Sequence, residues 1–210
     1  EKVLAAKVSS AFPDVKIINM LKGIDLRPSE DDPDGHGETG AAQMDPHVWL
    51  SPRLAGMMAR NVCDALTAIM PEKAQEFEKN LAALQTDLSV VDAKISEALA
   101  PLKGATFFVY HPAFGYFADA YSLKQEAVEI EGKEPSARQL VALIDMARAA
   151  GVKVIFVQPQ FSDKNARAVA EAIGGAVVAI DPLAGDYLAN LERIATEIKA
   201  ALVPDEGGGK

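Results

Sequence analysis

The chain has very little of several features that commonly define a function. Cys63 is the only cysteine among 210 residues, so no internal disulfide and no cluster of metal-bound thiolates can form. Only three histidines are present. No apolar run is long enough to span a membrane, and no signal-peptide pattern opens the sequence. The single cysteine does not indicate the cellular compartment.

The common nucleotide-binding and hydrolase motifs are missing as well. The sequence contains no G-x-x-x-x-G-K-[ST] phosphate loop, no G-x-G-x-x-G turn and no G-x-S-x-G nucleophile elbow. It also lacks the H-E-x-x-H helix that supplies ligands and a base in zinc proteases. Positive charge is scarce: 21 Lys and Arg against 30 Asp and Glu give a net charge of −9. This balance argues against nucleic acid or an anionic membrane as a partner.

Hydrophobic periodicity predicts that the first half of the chain is mainly helical. Apolar residues recur at helical spacing over residues 1–12, 52–70 and 72–99, and a short strand is predicted over 15–20. Residues 27–43, rich in Asp, Glu, Gly and Pro, are predicted to form a mobile acidic loop. The third helix would be about 40 Å long at 1.5 Å per residue. A rigid strut between two lobes is the natural use of such a helix.

The second half of the chain predicts an α/β lobe with a largely parallel sheet flanked by helices. Short apolar runs of the kind found in parallel strands occupy residues 106–110, 152–157 and 177–180, with a further strand at 128–130. Helical patterns at residues 138–149, 164–173 and 187–202 alternate with these strands. The predicted organisation is an N-terminal lobe over 1–70, a connecting helix over 71–100, a C-terminal lobe over 101–203 and a disordered tail over 204–210.

Potential metal ligands directly follow two of the predicted strands. His111 comes after the strand that ends at Tyr110, and Asp181 after the strand that ends at Ile180. Because the carboxyl ends of parallel strands meet at one edge of a sheet, both side chains are predicted there. His47 lies in a similarly apolar, aromatic setting, and imidazoles are the commonest metal ligands at neutral pH. These three residues indicate a metal site that is assembled by folding. The alternatives are that His47 and His111 are hydrogen-bonded core residues and that Asp181 caps a turn.

The segments around these histidines resemble a known family. They are DPHVWLSP at 45–52 and HPAFGYFADAYSL at 111–123, followed in order by IEGKEPSARQL, GVKVIFVQPQFS and AIDPLAGDYLAN. Together they resemble the zinc-uptake substrate-binding proteins of ABC transporters, the Znu-type branch of the TroA-like family. The resemblance runs from the first residue to about residue 202. It implies a two-lobed α/β protein whose lobes are joined by a long helix. It also implies a Zn²⁺ ion held between the lobes by His47, His111 and Asp181.

The resemblance also bears on the completeness and the selectivity of the site. The family pattern adds a histidine from an upstream part of the first lobe, and we expect this chain to begin inside that lobe. A site with only three protein ligands would bind zinc more weakly than the complete one. A histidine at position 111, where manganese-type relatives usually have glutamate, favours zinc. His36, in the acidic loop, is predicted to be a solvated loop residue and is at most an auxiliary ligand.

The function implied by the resemblance is capture and delivery rather than catalysis. We expect a periplasmic or otherwise extracytoplasmic monomer, free or lipid-anchored, that captures Zn²⁺ and hands it to an ABC permease. Protons would compete with zinc for His47 and His111, so the affinity should fall at low pH. A zinc-dependent hydrolase is one alternative, although the sequence offers no convincing general base beside either histidine. A surface adhesin whose metal is only structural is the other.

Overall fold

The computed structural model of the protein describes residues 2–29, 44–129 and 135–203. Its helices are α1 (Lys2–Ala11), α2 (Pro52–Ile69), α3 (Ala74–Leu99), α4 (Gly115–Ala120), α5 (Ala137–Ala149), α6 (Lys164–Ile173) and α7 (Tyr187–Leu202). Its strands are β1 (Thr106–Val109), β2 (Lys124–Ala127), β3 (Val154–Val157) and β4 (Ala176–Ala179). Single 3₁₀ turns lie at Val48–Leu50, Pro71–Lys73 and Ala100–Leu102. None of the described helices is both long enough and apolar enough to cross a bilayer.

The four described strands form one parallel sheet in the order β2-β1-β3-β4. The predicted runs at 106–110, 152–157 and 177–180 correspond to β1, β3 and β4. The further strand predicted at 128–130 was placed too late in the chain, and residue 130 lies outside the described residues. The strand forms instead at Lys124–Ala127, on the sheet edge, where Lys124 and Glu126 are exposed and hide the apolar signal. The backbone N–H groups of Val128 and Glu129 still donate hydrogen bonds to the carbonyls of Val109, the last residue of β1, and of Tyr110.

Both faces of the sheet are covered by helices, which confirms the predicted α/β architecture. On one face an aromatic core of Phe107, Phe114, Phe117 and Phe156 packs against α3 and α7. On the other face α5 and α6 cover Phe108 and Ile155. Burial of these large side chains is the dominant stabilising term for such a layered fold.

The long helix α3 contacts its neighbours along much of its length. It packs against α2 and against α7, and its buried residues Leu81, Leu88, Val91, Ile95 and Leu99 lie along one side. The last three belong to the aromatic core of the sheet. The predicted helix over 72–99 is therefore present as Ala74–Leu99. Its role as the connector of two lobes, together with the predicted domain limits, stays a prediction.

The N-terminal segment differs from its prediction. Residues 15–20 form no strand, because no described residue lies alongside them as a partner strand, and Val15 and Ile17 are exposed. Much of the predicted apolar side of the first helix is also exposed: Leu4 is 66% exposed and Phe12, just after α1, is 61% exposed. A strand pattern yields a strand only where a neighbouring backbone accepts its hydrogen bonds.

Most of the predicted acidic loop, including His36, lies outside the described residues, as does the predicted tail over 204–210. The described first part of that loop, residues 27–29, makes several contacts. Ser29 is buried, and Pro28 forms a bridge with Met44. The backbone N–H of Asp45 donates to the carbonyl of Arg27 (3.0 Å). These contacts hold the start of the acidic loop against the segment that carries His47.

Candidate metal centre

The structure brings His47 and His111 together. Their ring centroids are 5.2 Å apart, and the ring planes are inclined at 75°. His47 lies just before the 3₁₀ turn that leads into α2, and His111 follows β1 after Tyr110. The two side chains are 16% and 17% exposed, so an ion can reach rings that are largely withdrawn from water. Two of the three predicted ligands are therefore neighbours.

A buried carboxylate holds each imidazole at Nδ1. The distance from His47 Nδ1 to Asp45 Oδ1 is 2.8 Å, and from His111 Nδ1 to Glu129 Oε1 it is 2.6 Å. An ionised carboxylate only accepts hydrogen bonds, so Nδ1 of each neutral ring carries the proton and Nε2 the lone pair. Metal-binding histidines are commonly oriented in this way. Both rings are therefore prepared to bind a metal through Nε2.

Asp45 sets the local conformation of the His47 segment as well as the ring. Its Oδ1 accepts a second hydrogen bond from the backbone N–H of His47 (2.9 Å), which closes a tight turn across Pro46. Its backbone carbonyl accepts a hydrogen bond from the hydroxyl of Tyr116 in α4 (3.1 Å). A helix that follows His111 in the chain thus holds the segment that contains His47.

Gly115 permits this close approach. A β-carbon at this position would lie 1.5 Å from Nη1 of Arg27 and 2.9 Å from Oδ2 of Asp45. Glycine is the residue that leaves room for the start of α4 beside the Arg27 and Asp45 side chains. The two motifs that carry the histidines are therefore packed directly on one another.

The backbone of His111 is held by Gln158, which follows β3 and is 1% exposed. The Gln158 amide donates through Nε2 to the carbonyl of His111 (2.8 Å) and accepts through Oε1 from its N–H (3.1 Å). Phe161 stacks on the His111 ring, with centroids 4.7 Å apart and planes inclined at 26°. Backbone, ring nitrogen and ring face of His111 are thus all held in place.

Asp181 lies in the turn that follows β4, as predicted, and part of its role is to hold that turn. Its Oδ1 accepts hydrogen bonds from Gln160 Nε2 (2.7 Å) and from the backbone N–H of Leu183 (2.9 Å). Asn190 Nδ2 donates to its backbone carbonyl (2.6 Å). No described residue donates a hydrogen bond to Oδ2 of Asp181.

The described ranges contain no group of three His, Cys, Asp or Glu side chains placed to hold a metal ion. His47 and His111 are together, and Asp181 does not complete a three-membered group with them in this conformation. Whether Asp181 is a ligand thus stays a prediction, and the same holds for the full set of three.

Sequence reasoning did not assign a role to Asp45, Glu129, Gln158 or Gln160. For Glu129 a signal was present: it lies just past β2, and β2 neighbours the strand that leads to His111. The sheet-edge argument that located His111 would have located Glu129 too, had β2 been placed correctly.

The fold and the paired imidazoles define a metal-binding α/β protein. A family model described as zinc-uptake complex component A, periplasmic (ZnuA), matches residues 1–201, and the chain belongs to this family. Zinc-binding protein AdcA of Streptococcus pyogenes serotype M3 is 35% identical over 153 residues, which are 71% of this chain and 30% of that protein. The high-affinity zinc uptake system protein ZnuA of Haemophilus influenzae is 34% identical over 139 residues, 65% of this chain and 41% of that protein. The matches thus span well under half the length of these two relatives.

Solved structures confirm the predicted two-lobed fold class. A crystal structure of ZnuA superposes with a TM-score of 0.88 at 35% identity, covering 96% of this chain and 76% of that one. The laminin-binding protein Lmb of Streptococcus agalactiae has a TM-score of 0.79 at 25% identity, covering 97% and 78%. Lmb is described as a bifunctional protein with adhesin and metal transporting activity. A Zn(II)-bound variant of Streptococcus pneumoniae AdcAII has a TM-score of 0.80 at 25% identity, covering 94% and 76%.

Proposed function

We propose that this chain captures Zn²⁺ through Nε2 of His47 and Nε2 of His111 and delivers the ion to an ABC permease. The observation that carries the proposal is the pair of adjacent imidazoles, each fixed at Nδ1 by a buried carboxylate. Zinc favours nitrogen and oxygen ligands in tetrahedral arrangement, and neutral imidazoles suit it. The zinc ion is the transported cargo and not a resident cofactor.

Asp181 completes the site from the turn after β4. Its Oδ2 is the oxygen offered to the ion, while Oδ1 keeps the turn in shape. Because Asp181 is not yet grouped with the histidine pair, capture includes a movement of this turn toward the ion. The packing of α3 against both α2 and α7 restricts wider motion. Capture is therefore a local closure rather than a large rotation of lobes.

The arrangement of carboxylates favours binding over catalysis. A zinc hydrolase needs a general base close to a metal-bound water. Asp45 and Glu129, the carboxylates in contact with the histidines, already accept hydrogen bonds from Nδ1 and are buried. They orient ligands and are not placed to take up a proton from water. We therefore infer that the chain is not an enzyme.

We propose that the protein works outside the cytoplasm and is a monomer. The family description places the zinc-uptake component in the periplasm, and the pneumococcal relative AdcA is named a zinc-binding lipoprotein. The protein is accordingly free in a periplasm or anchored by lipid, and its partner is a membrane permease. The net charge of −9 suits a protein that attracts cations and disfavours nucleic acid as a partner.

Competitive calorimetric titration with Zn²⁺, with Mn²⁺ as the matched control ion, tests the proposal. We expect one zinc to bind per chain, manganese to bind far more weakly, and the circular dichroism spectrum to persist after chelation. Equal affinity for the two ions would contradict zinc capture. Unfolding on chelation would favour a structural metal, as in the adhesin alternative. Hydrolysis of an ester or peptide that stops on chelation would favour the hydrolase.

A further inference from the structure

Trp49 is hydrogen-bonded to the opposite side of the site at two points. Its indole Nε1 donates to the carbonyl of Pro182 (3.0 Å), in the turn after β4. Its own backbone carbonyl accepts a hydrogen bond from the hydroxyl of Tyr187, the first residue of α7 (2.5 Å). These contacts join residues more than a hundred positions apart in the sequence, and we call them the Trp49 latch.

The latch links the segments that carry His47 and Asp181. The Trp49 ring lies edge-on to the His47 ring at a centroid distance of 5.4 Å. Pro182, which accepts the indole hydrogen bond, directly follows Asp181. A displacement of the His47 segment is therefore transmitted to the Asp181 turn through one side chain and its hydrogen bonds.

Packing and hydrogen bonds both fix the latch, because Trp49 and Tyr187 are partly buried against the aromatic core of the sheet and are joined by a hydrogen bond. Trp49 and Tyr187 both line an apolar cleft of about 330 Å³ between α2, α3 and α7, so neither ring is enclosed on that side. Burial raises the pKa of Tyr187 to about 12, so its hydroxyl remains a donor throughout the physiological range. Removing that one donor should loosen the latch without opening a new cavity, because the ring itself stays.

We propose that Trp49 and Tyr187 are positioning residues that couple His47 to Asp181, so that closure of the Asp181 turn on bound zinc depends on the latch. This inference rests on the proposed capture of zinc and extends it to residues that do not touch the ion. The DPHVWL motif then has two roles: His47 binds the ion directly, and Trp49 helps to position Asp181.

The test is a double-mutant cycle on zinc affinity, measured by competition with a chromophoric chelator. Tyr187→Phe is made in the wild-type chain and in an Asp181→Asn background. We expect Tyr187→Phe alone to weaken zinc binding roughly three- to tenfold, the range that follows from losing one hydrogen bond. In the Asp181→Asn background the same substitution should leave the affinity unchanged, because the latch then has no ligand to position.

Tyr121→Phe is the matched control. The Tyr121 hydroxyl is also withdrawn from solvent and donates to Asp92 (3.1 Å), so its loss tests the general effect of removing a tyrosine donor. Zinc affinity should be unaffected by this substitution. The same loss of affinity from Tyr187→Phe in both backgrounds, or no loss in either, would overturn the latch. Failure of zinc capture itself would appear separately, as a His47→Ala chain with wild-type affinity.

Discussion

Replacement of either His47 or His111 by alanine is expected to weaken zinc binding by more than about a hundredfold. Loss of a residue that only orients a ligand typically weakens metal binding by about 10- to 100-fold, and loss of the ligand itself should weaken it more. Each substitution removes one of the adjacent imidazoles and leaves the ion with a single nitrogen ligand. The effect should be similar at both positions, because both rings are oriented in the same way by a buried carboxylate. Competitive calorimetry on the wild type and the two variants measures it.

His36→Ala is the matched control, since His36 is the one histidine of the chain besides His47 and His111. The sequence predicts it to be a solvated loop residue, so its removal should change zinc affinity little. Alanine at 111 leaves Glu129 buried without its partner, which could also unfold the chain. His111→Gln addresses this, because its amide can still donate to Glu129 and supplies no imidazole. Wild-type affinity in folded His47→Ala and His111→Gln chains would contradict the proposed site.

Neutralising the carboxylate that orients His111 should also have a large effect. We expect Glu129→Gln to weaken zinc binding roughly 10- to 100-fold. The carboxylate accepts the hydrogen bond from Nδ1–H and so keeps the proton on Nδ1, which leaves Nε2 free for the ion. A neutral amide lacks the charge, and its NH₂ group can hydrogen-bond an unprotonated Nδ1, which would place the proton on Nε2. Zinc titration of the purified variant measures the change.

Glu126→Gln provides the control for this prediction. Glu126 lies in β2, three positions before Glu129. Its side chain is exposed, whereas Glu129 is only 6% exposed. The substitution makes the same change of charge close by in the sequence without touching His111. Its zinc affinity should match that of the wild type. If Glu129→Gln and Glu126→Gln bound zinc equally well, the buried carboxylate would not be tuning the ligand.

The strands were predictable where their sequence is a continuous apolar run. β1 and β3 are such runs because helices cover both of their faces, and β4 keeps an apolar run although it lies on an edge of the sheet and its end residues are exposed. β2 lies on the edge of the sheet and contains Lys124 and Glu126, so the same rule placed it four residues late. At the N terminus the pattern was apolar but the strand did not form, because pairing depends on a neighbour and not on composition alone.

The two histidines of the site were predictable, but the groups that prepare them were not. His111 follows a recognisable strand, and His47 shares its apolar, aromatic setting. Glu129 meets His111 only through the register of β2 beside β1. The contact of Tyr116 with Asp45 depends on packing between distant segments, for which a single sequence gives no distance. Local patterns thus predicted the candidate ligands, and tertiary hydrogen bonds decide how their rings are oriented.

Anomalous diffraction at the zinc edge from crystals of the zinc-loaded chain tests the central claim most directly. The account predicts one strong anomalous peak, about 2.0–2.1 Å from Nε2 of both His47 and His111. It further predicts that Asp181 Oδ2 lies within bonding distance of the same peak. A zinc ion bound by only one of the two histidines, through Nδ1, or only by surface carboxylates would contradict the account.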